Sequence, residues 1–313
     1  MSQQDVVEKK QTAVTETIDI IADLGNKSYK LIVKDNSKNK KIIDCSNAQE
    51  VPAGTFGAFV INGKHYIIGE NAKSKKNTNK ICESKKAVLG RALYPLVQDK
   101  AKVDITTLLP LSLYVNEENK RKYSDLLKGK YTVSNSNGAT KTFTVSKVDV
   151  CAESFSSLLT DSSLLDQPLY LVDIGGVDTT GVFIHKTPAI EKSFFSERGM
   201  NIFFTELGRT LTSKLTDSYT EKDAELVFEK YNDLEDSLKA IIDEFATNYV
   251  NTNIKEPLKE IGFKSLIHKL VFVGGGSKAL ERYLIKLDNA QVLENALWSN
   301  VEGAQRLSIL RGK

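Results

Sequence analysis

Two stretches of this chain, with Asp23 and Asp173 150 residues apart, share one design: an apolar run ending in Asp, one more apolar residue, a glycine turn and a second apolar run. The first is Ile18-Asp19-Ile20-Ile21-Ala22-Asp23-Leu24-Gly25 with Ser28-Tyr29-Lys30-Leu31-Ile32-Val33 as its return. The second is Leu169-Tyr170-Leu171-Val172-Asp173-Ile174-Gly175-Gly176 with Thr180-Gly181-Val182-Phe183-Ile184-His185. Short apolar runs bounded by turn residues read as strands, so each stretch predicts an antiparallel hairpin. A design that recurs at a long separation predicts two similar halves.

The remaining pattern is mixed α/β. Ala58-Phe59-Val60-Ile61 and His65-Tyr66-Ile67-Ile68 flank Asn62-Gly63, which tolerates the positive φ of a tight hairpin turn. A central strand runs through Val103 to a break at Pro110, and a helix is expected over roughly 116–128. Tyr131-Thr132-Val133 and Thr142-Phe143-Thr144-Val145 form another hairpin around Asn135-Ser136-Asn137-Gly138, and the chain continues through Val148-Asp149-Val150 into a helix expected near Glu153. After the second acidic hairpin come helices near 200–216, 221–232 and 233–262, a strand at 268–273, Gly274-Gly275-Gly276 and a helix from about Ser277. Trp298, Val301, Ala304, Leu307 and Leu310 recur every three residues and predict one apolar face on a closing helix.

Composition narrows the functional classes. The 313 residues carry 43 Lys+Arg against 40 Asp+Glu, a formal charge of +3 that creates no overall positive field for phosphate backbones. An apolar fraction of 41% is ordinary for a folded protein and argues against global disorder. Residues 1–16 are polar and read as a mobile arm. No apolar run approaches the roughly 20 residues that span a bilayer, and a cytoplasmic location is expected. Cys45, Cys82 and Cys151 are dispersed and odd in number, which suits reduced thiols, and the scattered His65, His185 and His268 form no metal-ligand spacing. The lysines of segments 27–41 and 73–86 are read as a solvated surface and are not assigned to DNA.

The chemistry lies in the turns. A glycine leaves backbone N–H groups free to face an anion, and an adjacent Asp can hold a hydrated magnesium ion that bridges phosphate oxygens. One Asp-x-Gly is ordinary hairpin chemistry; two, at matching places in two halves, can face one ligand. Leu270-Val271-Phe272-Val273-Gly274-Gly275-Gly276-Ser277 adds three glycines between a strand and a helix. Such a surface lets a flat ring or a sugar lie against the backbone, and the helix N-terminus beyond it favours negative charge.

With these motifs the chain resembles the actin/sugar-kinase/heat-shock ATPase superfamily over nearly its whole length. Within it, Leu109-Pro110-Leu111-Ser112-Leu113-Tyr114, Val150-Cys151-Ala152-Glu153-Ser154 and Asn300-Val301-Glu302-Gly303-Ala304-Gln305 look most like the ParM-like plasmid-segregating actins, and Arg198-Gly199-Met200-Asn201 is similar to their entry into the first helix of the second domain. The resemblance implies a two-lobed α/β fold around a nucleotide cleft. Residues 17–166 plus 296–313 would form domain I, and 167–295 domain II. Asp23 and Asp173 would act on water-coordinated Mg²⁺, while Gly25, Asn26, Lys30, Gly175 and Gly176 would hold phosphates. Gly274, Gly275 and Gly276 would carry the adenosine, and Glu153 would align and polarise the attacking water. From position alone Glu153 reads equally well as a carboxylate stabilising a helix N-terminus. Asn26 stands where many relatives have Ser or Thr, and Val177-Asp178 interrupts the usual Gly-Gly-Thr-Thr run.

The implied activity is hydrolysis of ATP, or of GTP, coupled to head-to-tail filaments that move plasmid DNA through a DNA-binding adaptor protein. A metabolic kinase of the same fold and a non-filamentous scaffold are the alternatives. No convincing sugar-binding set and no terminal amphipathic membrane helix can be read for either.

Overall fold

The computed structural model describes residues 17–34, 39–73 and 79–312. The expected arm at 1–16, together with Lys38, Lys75 and Lys76 of the lysine-rich segments, lies outside them.

Strands of the first half are β1 (Thr17–Leu24), β2 (Ser28–Val33), β3 (Lys40–Cys45), β4 (Ala48–Glu50), β5 (Phe59–Ile61), β6 (Lys64–Ile68), β7 (Lys102–Leu109), β8 (Gly129–Ser134) and β9 (Thr140–Ala152). Among the described residues they form one nine-stranded sheet in the order β3-β2-β1-β7-β9-β8-β5-β6-β4. The second half contributes β10 (Leu169–Ile174), β11 (Thr179–His185), β12 (Thr187–Ser196), β13 (Lys269–Val273) and β14 (Ala290–Val292), ordered β12-β11-β10-β13-β14.

The repeat seen in the sequence extends to topology. In each half an acidic strand pairs antiparallel with its hairpin partner and parallel with a strand from far along the chain: β1 with β2 and β7, β10 with β11 and β13. Asp23 faces Lys30 across its hairpin, and Asp173 faces Thr180 at the same rung of the second. The expected hairpin at Asn62-Gly63 is β5–β6, with both turn residues at positive φ. β8–β9 is the other expected hairpin, and β9 runs on through all 13 residues to pair parallel with β7.

Central strands are buried on both faces, as a parallel core requires. Along β1, Ile20, Ala22 and Leu24 face a core shared with helix Glu83–Leu93 and helix Glu117–Leu127. Ile21 points to the opposite face, where Ile32, Leu108 and Cys151 meet Val301 and Ala304 of the closing helix Ser299–Leu310. In β10, Tyr170, Val172 and Ile174 pack under helices Met200–Lys214, Glu221–Glu229 and Asp236–Val250. Leu169 and Leu171 face the other way, onto Leu158 and Leu164.

Three expectations change. Glu153 does not open an α-helix: it follows β9 and precedes a 3₁₀ segment, Phe155–Thr160, with Ser154 at φ 65° between them. The hydroxyls of Ser156, Ser157 and Thr160 bond to the carbonyls of Ala152, Ser154 and Ser157, an alternative to helical pairing that Ser and Thr readily supply. The helix after the triple glycine begins at Gly275 and is five residues long, so it contributes little dipole. Leu310 is exposed, because a three-residue spacing drifts off a 3.6-residue face by the end of the helix.

The closing helix is seated against the 3₁₀ segment without spare room. A Cβ on Gly303 would stand 1.8 Å from the Ser156 carbonyl oxygen. Gly303→Ala should therefore lower stability by about 1–3 kcal/mol, the usual toll of forced packing, seen as a fall of several degrees in Tm. An unchanged Tm would mean that this contact is looser than described.

Candidate functional site

The two acidic turns and the triple-glycine bend all end at the same seam between the sheets. Asp23, Gly25, Asn26 and Lys30 from the first turn, Asp173, Gly175 and Gly176 from the second, Gly274, Gly275 and Gly276 from the third, and Glu153 line one cavity of about 470 Å³. That volume lies within the range of small-ligand sites. The two turns touch: a Cβ on Gly176 would lie 2.5 Å from Lys27 Cβ. Lys27 also spans the cleft, its Nζ 2.5 Å from Glu225 on helix Glu221–Glu229.

Backbone geometry explains the third turn. Gly274 has φ 89°, and an added Cβ would fall 2.3 Å from Asp173 Oδ1. Only glycine combines that backbone with so close an approach to the second acidic turn. Its N–H donates to the Ala296 carbonyl, tying the bend to the segment that leads into the closing helix.

Asp173 is held from two other elements. Asn300 Nδ2 donates to its Oδ2 at 2.8 Å and Ser154 Oγ donates to the same oxygen at 3.0 Å. Asn300 Oδ1 in turn accepts from the Ser154 backbone N–H at 2.9 Å. These bonds join the closing helix, the turn after β9 and the second sheet at one carboxylate. Burial still pushes Asp173 above the ordinary carboxylate range, because the two hydrogen bonds offset it only in part.

Asp23 goes the other way. Burial raises it, but Lys30 and Lys80, with Lys85 behind them, outweigh that and hold it below its ordinary value. Lys30 Nζ lies 3.3 Å from Asp23 Oδ2. Glu153, fixed by its backbone N–H to the Leu109 carbonyl at 2.8 Å, is pushed upward by burial, opposed by Lys80 and reinforced by Asp23 and Asp173. Asp178, on the rim of the same cavity, is also raised by burial and by Glu153.

Buried polar atoms without partners show what the cavity suits. Asp23 Oδ1 is a buried acceptor and Asn26 Nδ2 a buried donor, and neither has a hydrogen-bond partner. A buried unmade hydrogen bond costs about 1–3 kcal/mol, so such atoms mark ligand chemistry. The donor suits a phosphate oxygen, and the acceptor suits the water shell of a cation. The lining residues thus fit a magnesium-bound polyphosphate.

Lys80 and Lys85 depart from the reading of the lysine segments as solvated surface. Both are buried, at 3% and 5% exposure. Lys85 Nζ donates to the Gly25 carbonyl at 2.7 Å, inside the first acidic turn, whereas Lys40, Lys41 and Lys73 are exposed as expected. Lys80 carries no local signal that separates it from an ordinary surface lysine; Ser154 and Asn300 lie in stretches that carry the resemblance, but their contacts with Asp173 come from long-range packing.

Residues 22–155 match the family described as the N-terminal domain of actin-like proteins. The solved structure of actin-like protein Alp7A superposes with a TM-score of 0.77 at 15% identity, over 95% of this chain and 98% of that one. An archaeal actin homologue in complex with ADP gives 0.71 at 17% identity, over 94% and 99% of the two chains. A 15-stranded ParM filament from Clostridium botulinum gives 0.68 at 20% identity, over 94% and 99%. A search of curated protein sequences returned no match. The chain has the actin-like fold. The resemblance read from its motifs holds at that level: two α/β halves of actin-like architecture meet at the cavity. Among the described residues no helix is long and apolar enough to cross a membrane.

Lys85 gives the cavity a pH signature. Burial, and secondarily Lys80, lowers its pKa from 10.5 to about 7. Between those values the unfolded chain binds more protons than the folded one, so the Lys85 contribution to stability rises with pH across that window. The urea-unfolding free energy of the wild type minus that of Lys85→Met should climb from pH 7 to 10 with a slope of up to about 1.4 kcal/mol per pH unit. A flat difference would contradict a buried, uncharged amine.

Proposed function

We propose that this actin-like chain binds and hydrolyses a nucleoside triphosphate, ATP or GTP, and assembles head-to-tail into filaments that segregate plasmid DNA in the cytoplasm through a DNA-binding adaptor. The observation that carries the reading is the convergence of both acidic turns, the triple-glycine bend and Glu153 on one cavity between the two sheets. The filament-forming relative of the same fold supports the assembly step, and the ADP complex of another supports the choice of ligand.

In this reading Gly25, Asn26 and Gly176 present N–H donors to the phosphates, Gly175 shapes the second turn through its own N–H bond to the Asp178 carbonyl at 2.8 Å, and Lys30 adds positive charge. Gly274, Gly275 and Gly276 form the floor under the nucleoside. Asp23 and Asp173 would hold Mg²⁺ through its waters, and the bound ion supplies charge neutralisation for the phosphates. Glu153 takes a proton from water as the water oxygen bonds to the terminal phosphorus. The bond to the bridging oxygen breaks, releasing nucleoside diphosphate and inorganic phosphate. Heterologous contacts that do not close into a ring generate a helical filament from one kind of subunit.

Purified protein with ATP or GTP should scatter light, sediment and show long particles by negative stain, while ADP or no nucleotide should not sustain them. Glu153→Ala should cut phosphate release about 100-fold or more, the scale of a lost general base, while leaving assembly intact. Sugar-dependent ADP release without particles would overturn the filament reading in favour of a kinase. Normal hydrolysis by Glu153→Ala would remove that residue from the mechanism.

A further inference from the structure

Lys80 stands apart from every other lysine in the cleft. It precedes helix Glu83–Leu93, its side chain is 4% exposed, and its Nζ lies 3.0 Å from Glu153 Oε2 and 3.9 Å from Asp23 Oδ1. It donates a hydrogen bond to Glu153 Oε1 at 3.2 Å, while its contact with Oε2 is an ion pair that leaves that oxygen without a hydrogen-bond partner. Asp23 has a second cation in Lys30; among the described residues no other cation lies within ion-pair distance of Glu153. Removing one partner of such a buried pair leaves an uncompensated charge, so these contacts bind all three side chains to one arrangement.

We propose that Lys80 is the positioning residue of Glu153, tying that carboxylate to Asp23 at the wall of the cavity and aiming it at the hydrolytic water; this rests on the hydrolytic reading above. The contact has a chemical consequence. Burial and two neighbouring carboxylates drive Glu153 toward its protonated form, which cannot take a proton from water, and Lys80 is the group that opposes them. A role confined to structure would stabilise the fold and leave any effect of Lys80 on turnover independent of Glu153.

Fluorescent mant-ADP binding, phosphate release and thermal unfolding should be compared in the wild type, Lys80→Met, Lys80→Arg, Glu153→Ala and the Lys80→Met/Glu153→Ala double variant. Lys80→Met is expected to lower kcat at least about 30-fold while the mant-ADP Kd stays within about threefold. Lys80→Arg should recover a substantial part of kcat. On the Glu153→Ala background the Lys80 change should have less than about a twofold effect, because residues that act as a unit are non-additive. A Lys80→Met protein that turns over within threefold of wild type, or an equal loss on the Glu153→Ala background, would overturn the proposal.

Should Lys80→Met fail to fold, amine acetylation of the nucleotide-free protein followed by mass spectrometry provides the test. Lys80 is expected to be protected in the wild type and at least about fivefold more reactive in Glu153→Ala, and equal reactivity would overturn the pairing. A wild type that binds mant-ADP but releases no phosphate would bring down the hydrolytic reading and the role of Lys80 with it. Normal wild-type turnover with an unslowed Lys80 variant would bring down this inference alone.

Discussion

Asp23 is buried and Asp173 and Glu153 are half-buried where the two sheets meet, and the compensation of these three carboxylates governs how this molecule is built. An ionised carboxylate removed from water costs several kcal/mol unless it is paired or hydrogen-bonded. Each is compensated differently. Asp23 has two lysines, Asp173 has a hydroxyl and an amide, and Glu153 has the ammonium it shares with Asp23. The result is a graded set, with Asp23 below the ordinary range and Asp173 and Glu153 above it. Groups of one chemical kind driven apart in this way are what a hydrolytic site needs.

The partners arrive from separate parts of the chain, which couples the site to the fold. Asn300 is on the closing helix, Ser154 follows β9, and Lys80 precedes a helix of the first core. The closing helix lies on the nine-stranded sheet through Val301 and Ala304 while its Asn300 reaches the acidic strand of the other sheet. Lys27 and Glu225 add a contact across the mouth of the cleft, and both are partly open to solvent, so that pair contributes little to stability by itself.

Much of the site was legible because it consists of turns. Asp23, Gly25, Asn26, Asp173, Gly175, Gly176 and the three glycines after Val273 are local signals, since strand ends and positive-φ requirements are written in neighbouring residues. The residues that tune the site were not. Lys80 and Lys85 sit in a stretch whose lysine content reads as solvent-facing, and burial of two of those side chains depends on where helix Glu83–Leu93 docks. The expected helix at Glu153 failed because three hydroxyls nearby competed for backbone carbonyls.

Strand spacing, turn chemistry and the internal repeat are properties of short segments, so the amino-acid order by itself determined the two α/β halves and the three turns that line the cavity. The electrostatic character of the cavity is a sum over charges brought together from positions 23, 80, 153, 173 and 300. No local pattern carries a sum of that kind. Only the tertiary structure decided which carboxylates are held ionised, which lysine is stripped of water, and which helix locks the acidic turn of the opposite sheet in place.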